Sequence, residues 1–179
     1  MDDSDTLNRI IADCKLGSNH AFSELVDLYA DKCYGYFYRL SGNAEVSNDL
    51  LSTLFVKLVE KIGSYRGGSF DGWIFTIASN IFRDHLRSVY HRKKLRDAKA
   101  DQPRIDTITP QQQIDLADQL QNLLEKLDPD VAELLVMRFY GQLSFKELSK
   151  LRAEPIGTTL AKVHRGLKKL RTLMEKEHD

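Results

Sequence analysis

Residues 144–174 read SFKELSKLRAEPIGTTLAKVHRGLKKLRTLM, and this stretch decides the fold. Ser144 followed three residues later by Glu147 is a capping box: the serine oxygen accepts from a free first-turn amide while the glutamate reaches back to the cap. The helix so opened is short and ends near Arg152. A tight turn through Ala153, Glu154 and Pro155 follows. Beyond it Ile156, Leu160, Val163, Leu167, Leu170 and Met174 recur at spacings of four, three, four, three and four, one apolar stripe of a longer helix. A short braced helix, a turn and a longer basic helix form a helix-turn-helix layout, whose second helix presents its free face to the major groove. Ala161, Lys162, His164, Arg165, Lys168 and Lys169 point away from the stripe. Arg165 suits a bidentate contact to guanine and the lysines suit phosphates. An ordinary amphipathic hairpin with a solvated lysine face fits the same spacing.

Upstream, helical spacing also dominates and strand alternation is nearly absent, so the expected class is all-α. Leu7, Ile10, Ile11 and Cys14 mark a first helix that Gly17 ends. A second runs from about Asn19 to Leu40, and Ser41-Gly42-Asn43 reads as a turn. Val46, Leu50, Leu54, Val56, Leu58 and Ile62 carry a third. The glycine-rich segment from Gly63 to Ser69 is a loop, and Ser69 caps a fourth helix through Phe70, Trp73, Ile74, Ile77, Ile81, Phe82 and Leu86 that then turns basic. The polar stretch from about Ala98, with Pro103, reads as a flexible linker. Thr109-Pro110 and Asp128-Pro129 both look like helix starts, and Gly141 closes the helix running from Val131 to Tyr140. The predicted organisation is two small helical domains, 1–97 and 113–179, joined by a linker over 98–112.

The formal net charge is zero, but the charges are segregated. Arg83, Arg87, Arg92, Lys93, Lys94, Arg96 and Lys99 form one basic block, and the region from Arg138 to Lys176 forms a second. The stretch from Asp101 to Glu133 between them is acidic. Two basic blocks around an acidic connector point to two nucleic-acid-facing surfaces. With 42% hydrophobic residues the chain has enough apolar material for buried cores. No stretch approaches the roughly 20 apolar residues a membrane span needs. The start, Met1-Asp2-Asp3-Ser4-Asp5, is unlike a secretory signal, which makes cytoplasmic residence the expectation. Cys14 and Cys33 have no partners at metal-ligand spacing and sit among apolar residues, so they read as buried thiols; no metal or other cofactor is expected.

A second constellation surrounds the glycine-rich loop. Tyr65, Arg66, Phe70 and Trp73 offer aromatic faces and a guanidinium suited to stacking on unpaired or flipped bases. Asn80 suits a base edge, and Arg83 and Arg87 suit phosphates. Packing of Phe70 and Trp73 in the core fits the same composition. Gly67-Gly68 is no phosphate-binding P-loop, because no Lys-Ser/Thr pair follows. No triad-like or metal-like spacing supports catalysis; Asp84 and His85 are helix neighbours that point in different directions, so the chain is not expected to be an enzyme.

Taken together, these strings resemble the extracytoplasmic-function, or group-four, sigma factors over nearly the whole chain. The match runs through Ala21-Phe22-Ser23-Glu24-Leu25, Asp49-Leu50 to Phe55, Tyr65-Arg66-Gly67, and Trp73-Ile74-Phe75-Thr76-Ile77-Ala78-Ser79-Asn80 with Asp84 and Arg87. It continues through Leu127-Asp128-Pro129, Leu143 to Leu148, Pro155-Ile156-Gly157-Thr158 and His164-Arg165. The resemblance implies region 2 and region 4 sigma domains and a promoter-specificity subunit of RNA polymerase. It implies that Asp49, Leu50, Thr53, Phe55 and Val56 dock on the polymerase clamp. It implies that Tyr65, Arg66, Trp73, Asn80, Arg83 and Arg87 hold the melted minus-ten strand. Thr158, Ala161, Lys162, His164, Arg165 and Lys168 would read the minus-thirty-five element, with region 4 on the polymerase flap. Implied partners are core RNA polymerase, promoter DNA and an anti-sigma factor. The connector would thread the polymerase channels, with Asp101 to Asp106 mimicking nucleic acid.

The chain departs from the family pattern at three places. Ser52 and Thr53 stand where glutamine and glutamate are usual. Thr159-Leu160-Ala161 replaces a usual valine, basic residue and serine, which leaves open whether Leu160 faces DNA or core. The turn Arg152-Ala153-Glu154-Pro155 lacks the usual glycine. A stand-alone helix-turn-helix regulator is the competing reading, and it predicts tight operator binding without polymerase.

Overall fold

The computed structural model describes residues 3–97 and 116–177, and every regular element among them is helical. The linker from Ala98, the Thr109-Pro110 helix start and the acidic run Asp101 to Asp106 lie outside the described residues.

The N-terminal domain contains α1 (Asp3–Lys15), α2 (Asn19–Ser41), α3 (Ala44–Lys61) and α4 (Phe70–Asp97). Side chains that satisfy free end groups set the boundaries. Ser18 Oγ accepts from the Ala21 amide at 3.3 Å to open α2, and Gly42, at φ 63°, closes it in the left-handed conformation that glycine tolerates. Asn43 Oδ1 accepts from the Val46 amide at 3.0 Å to open α3. Leu25, Cys33, Tyr36, Phe37, Leu54, Leu58, Ile74 and Phe75 are buried together between α2, α3 and α4.

The C-terminal domain contains α5 (Leu116–Glu125), α6 (Pro129–Leu135), α7 (Phe145–Arg152) and α8 (Ile156–Glu177). Asp128 caps α6, with Pro129 at its first position, where a missing amide costs nothing. The helix then widens into a π turn over Val136–Tyr140, and the Gly141 amide donates to Val136 O at 3.0 Å. Gly141 itself keeps a right-handed φ of −71°; the left-handed residue is Gln142, at φ 59°. Gly141 is needed for space, since a β-carbon there would lie 2.8 Å from the Met137 carbonyl oxygen. Leu134, Met137, Leu143, Leu148 and Val163 form the core, and Gly166 lets α8 lie against Val131 and Leu135 of α6.

The capping box at Ser144 forms as its sequence demands, with the Glu147 amide 3.3 Å from Ser144 Oγ and the Ser144 amide 2.7 Å from the Glu147 carboxylate. At the other end of α7, Ala153 takes the position glycine usually holds, with φ 50° and ψ 41°. The Glu154 amide closes the motif on Ser149 O at 3.1 Å. A β-carbon in this conformation costs about 1–2 kcal/mol. Ala153→Gly is therefore expected to stabilise the C-terminal domain by roughly 1 kcal/mol, after the extra freedom glycine gives the unfolded chain is deducted. Thermal melts of the two proteins measure this.

The two domains pack directly on each other. Tyr140 lies against α2: its hydroxyl donates to Asp31 O at 3.2 Å, and the Arg39 guanidinium sits 3.8 Å from its ring centre. Gly35 makes room for it, for a β-carbon there would stand 2.0 Å from the tyrosine oxygen.

Candidate nucleic-acid and polymerase interfaces

On α8, Thr159, Val163 and Gly166 face the core, so the opposite face carries Gly157, Ala161, His164 and Lys168, with Leu160 and Arg165 on its flanks. Leu160 is 49% exposed, and its side chain belongs to the outward face. Thr158 is exposed beside the turn, where its amide donates to Pro155 O at 2.9 Å. Gly157 and Ala161 leave the start of this face without bulk. That suits close approach to a groove floor, with His164, Arg165 and Lys168 reaching beyond it.

Lys162 stands apart from these. Its ammonium donates to Glu154 at 2.6 Å and to Asp130 at 3.1 Å, tying α8 to the turn and to α6. Arg152 adds bonds to Asp130 and to Glu133, the latter at 2.8 Å. Burial alone would raise the pKa of Asp130 and of Glu154. Arg152 and Lys162 at the first, and Lys162 with Thr159 at the second, outweigh it and hold both below the ordinary carboxylate values. Folded-state pKa values below the unfolded ones mean the stabilisation is complete above the ordinary values of 3.8 and 4.5 and is lost as pH falls through the folded values. The C-terminal domain is thus expected to melt at a markedly lower temperature at pH 3 than at pH 7. Calorimetry checks this.

The second surface is one stripe of α4. Trp73, Asn80, Asp84 and Arg87 are spaced seven, four and three, and Arg83 flanks them. Asn80 and Arg87 are exposed. Arg87 pairs with Asp84 at 2.9 Å, but both groups are so open to water that this pair is worth little and leaves Arg87 available to a phosphate. Trp73 is half-buried, its ring centre 5.4 Å from those of Tyr65 and Phe70. Tyr65 is buried beneath: its hydroxyl donates to Gly68 O at 2.6 Å, and Lys15 donates to its carbonyl at 2.7 Å. Tyr65 thus shapes the loop from inside. Arg66 is exposed and bends back to Gly63 O at 2.7 Å, while Gly67 and Gly68 occupy φ 96° and 90°. Arg83 is half-buried and ion-paired with Glu133 at 3.3 Å.

The third surface is the outer face of α3. Leu50, Leu54 and Leu58 point inward. Asp49, Thr53 and Val56 are exposed and Phe55 is half-buried. Ser52 and Thr53 each donate to their own helix, to Asn48 O and Asp49 O, at 2.9 Å. Their hydroxyls are thereby satisfied within the helix, and Val56, 61% exposed, and Val59, 53% exposed, set two apolar side chains among Asp49, Lys57 and Glu60. Val59 was not singled out by periodicity; two valines at i and i+3 off the buried stripe were the signal. Leu50 sits in the core, so the exposed part of this surface is made by its neighbours.

Glu133 also escaped the sequence reading. Its side chain is only 4% exposed, between the domains. It accepts from Tyr36 Oη at 2.9 Å, Ser79 Oγ at 2.5 Å, Arg83 Nε at 3.3 Å and Arg152 at 2.8 Å. Burial, and then the adjoining Glu133 carboxylate, push the Tyr36 phenol well above its ordinary pKa and keep it a donor. An acidic residue embedded in the apolar run from Val131 to Met137 was the available signal.

Comparison with known proteins places these surfaces in context. The family described as Sigma-70 region 2 matches residues 25–92, and Sigma-70, region 4 matches residues 117–170. The RNA polymerase sigma factor CarQ of Myxococcus xanthus is 33% identical, over 88% of this chain and 91% of that protein. The ECF RNA polymerase sigma factor SigW of Bacillus subtilis is 27% identical over 92% of this chain and 95% of its own length. The corresponding SigE of Mycolicibacterium smegmatis is 30% identical over 87% of this chain, which spans 62% of that longer protein. In three dimensions the fold is similar to the sigma factor RpoE from Bartonella quintana, solved with the anti-sigma factor NepR. That similarity has a TM-score of 0.69 and 23% identity, and covers 86% of this chain and 96% of that one.

Proposed function

This chain belongs to the extracytoplasmic-function sigma factors, and from that membership we propose that it binds core RNA polymerase and directs promoter-specific initiation in the cytoplasm without catalysis of its own. The observation that carries the proposal is the presence of three separately exposed faces on one chain: one around Val56 and Val59 on α3, a stacking and basic one on α4, and a groove-reading one on α8. In this reading Asp49, Thr53, Val56 and Val59 meet the polymerase clamp. Trp73, Asn80, Arg83 and Arg87 hold the opened minus-ten strand, and Arg66 tracks its backbone. Thr158, Leu160, Ala161, His164, Arg165 and Lys168 read the minus-thirty-five duplex, while region 4 rests on the flap. Lys162, Leu50 and Tyr65 support these faces from beneath. An anti-sigma factor would act by covering them. Among the described residues no helix is long and apolar enough to cross a membrane.

The test is reconstitution with bacterial core polymerase and run-off transcription over a library of genomic promoters. Transcripts from a defined promoter set, dependent on the added chain, are expected. Silence from a well-folded protein, or tight operator binding without core enzyme, overturns the reading in favour of a stand-alone regulator.

A further inference from the structure

The glycine-rich loop between α3 and α4 is tied to the rest of its domain by one long side chain. Among the described residues, the only hydrogen bond that a side chain of another element donates to residues 63–68 comes from Lys15, whose Nζ lies 2.7 Å from Tyr65 O. The other bonds of this segment are local. Ser64 Oγ donates to Lys61 O at 2.6 Å, the Arg66 guanidinium to Gly63 O at 2.7 Å, and the Tyr65 hydroxyl to Gly68 O at 2.6 Å. The outer side is open: a β-carbon at Gly63, Gly67 or Gly68 would meet nothing within 4 Å beyond its chain neighbours.

Lys15 stands in the last turn of α1, where a cation is favoured by the free carbonyls of its own helix. Its ammonium instead reaches a carbonyl 50 residues away and lies 5.4 Å from the centre of the Tyr65 ring, within cation–π range. That ring is the support of Trp73, with its centre 5.4 Å from Trp73 and 5.3 Å from Phe70. Lys15 therefore holds both the backbone and the ring of the residue on which the half-buried indole rests.

We infer that Lys15 is a positioning residue for promoter opening. It does not touch DNA; through Tyr65 it fixes the loop and the Trp73 ring in the arrangement that receives an unpaired base of the minus-ten strand. The inference rests on the proposed function and brings α1, which carries none of the proposed contact faces, into strand capture. Without the ammonium, the partly buried Tyr65 carbonyl loses its donor, and the loop gains freedom that capture must then remove.

Lys15→Met keeps the length of the side chain and removes the donor; Lys15→Arg keeps a donor. Circular dichroism establishes that each is folded, and each is reconstituted with core polymerase on a promoter from the set defined above. Permanganate reactivity of unpaired thymines reads opening on duplex DNA, and run-off transcription is compared between duplex and a template pre-melted across the minus-ten element. Lys15→Met is expected to bind core as wild type does and to form about tenfold fewer open complexes, a loss within the worth of one base stack. Pre-melting is expected to restore most of its transcription, and Lys15→Arg to open the duplex better than Lys15→Met. Trp73 is the only tryptophan of the chain, so its fluorescence reports the contact in the free protein. Its emission is expected to move to longer wavelength in Lys15→Met as the indole gains water, a change that lowered stability alone would not give in the folded protein. Opening as in wild type, or unchanged emission, overturns the inference. An equal loss on both templates also overturns it, and assigns Lys15 to a phosphate. Silence of the wild-type holoenzyme on both templates overturns the proposed function, and the role of Lys15 with it.

Discussion

Val56→Asp is expected to weaken capture of core RNA polymerase by roughly thirtyfold or more, the effect of losing about 2 kcal/mol at the centre of an interface. Val56 is 61% exposed beside Val59, on a helix face whose hydroxyl groups are turned back onto their own backbone. An aspartate there would be desolvated against the partner without a counter-charge. In the free protein it stands in water, so stability should change by no more than about 0.5 kcal/mol. Leu50→Asp, six residues earlier, separates the two roles of α3. Leu50 is 7% exposed, and a carboxylate at that depth costs enough to unfold the domain. Co-purification with core enzyme, beside thermal melts, distinguishes lost binding from lost fold. A Val56→Asp protein that binds core as wild type does would remove α3 from the interface.

The second large effect concerns Arg165. Its replacement by alanine is expected to cost about 1–3 kcal/mol at one base position of the upstream element, and little at others, if its guanidinium pairs with a guanine edge. Selection from randomised promoter sequences would show the preference at that one position collapse. A uniform loss on all promoters, with a reduced salt dependence, would instead assign Arg165 to the phosphate backbone. Lys162 gives the contrast. Because it bonds to Asp130 and Glu154, its loss should loosen the turn and lower the melting temperature without shifting base preference.

Most of the helical frame was legible because its ends are local. Ser144 and Asp128-Pro129 each satisfy backbone groups within three residues, so sequence spacing alone exposes them. The face of a residue was less legible. Leu50 and Val56 lie six apart on one helix, yet one is inside and the other outside, and apolar character alone cannot assign them. Tyr65 shows the reverse: an aromatic suited to stacking on bases is held inward by Gly68 and Lys15. Leu160 was ambiguous between groove and core until Thr159 and Val163 were seen to fill the buried side. Glu133 was out of reach for a different reason. Its partners come from residues 36, 79, 83 and 152, and no local period reports a contact assembled from four helices.

Cys14 and Cys33 are both buried free thiols. Burial raises the thiol pKa of Cys14, and it pushes that of Cys33 up to about 12. Peroxide attacks thiolates, and at neutral pH almost none exists at either position. Oxidant exposure that inactivates enzymes with reactive cysteines would therefore leave these two thiols unreacted.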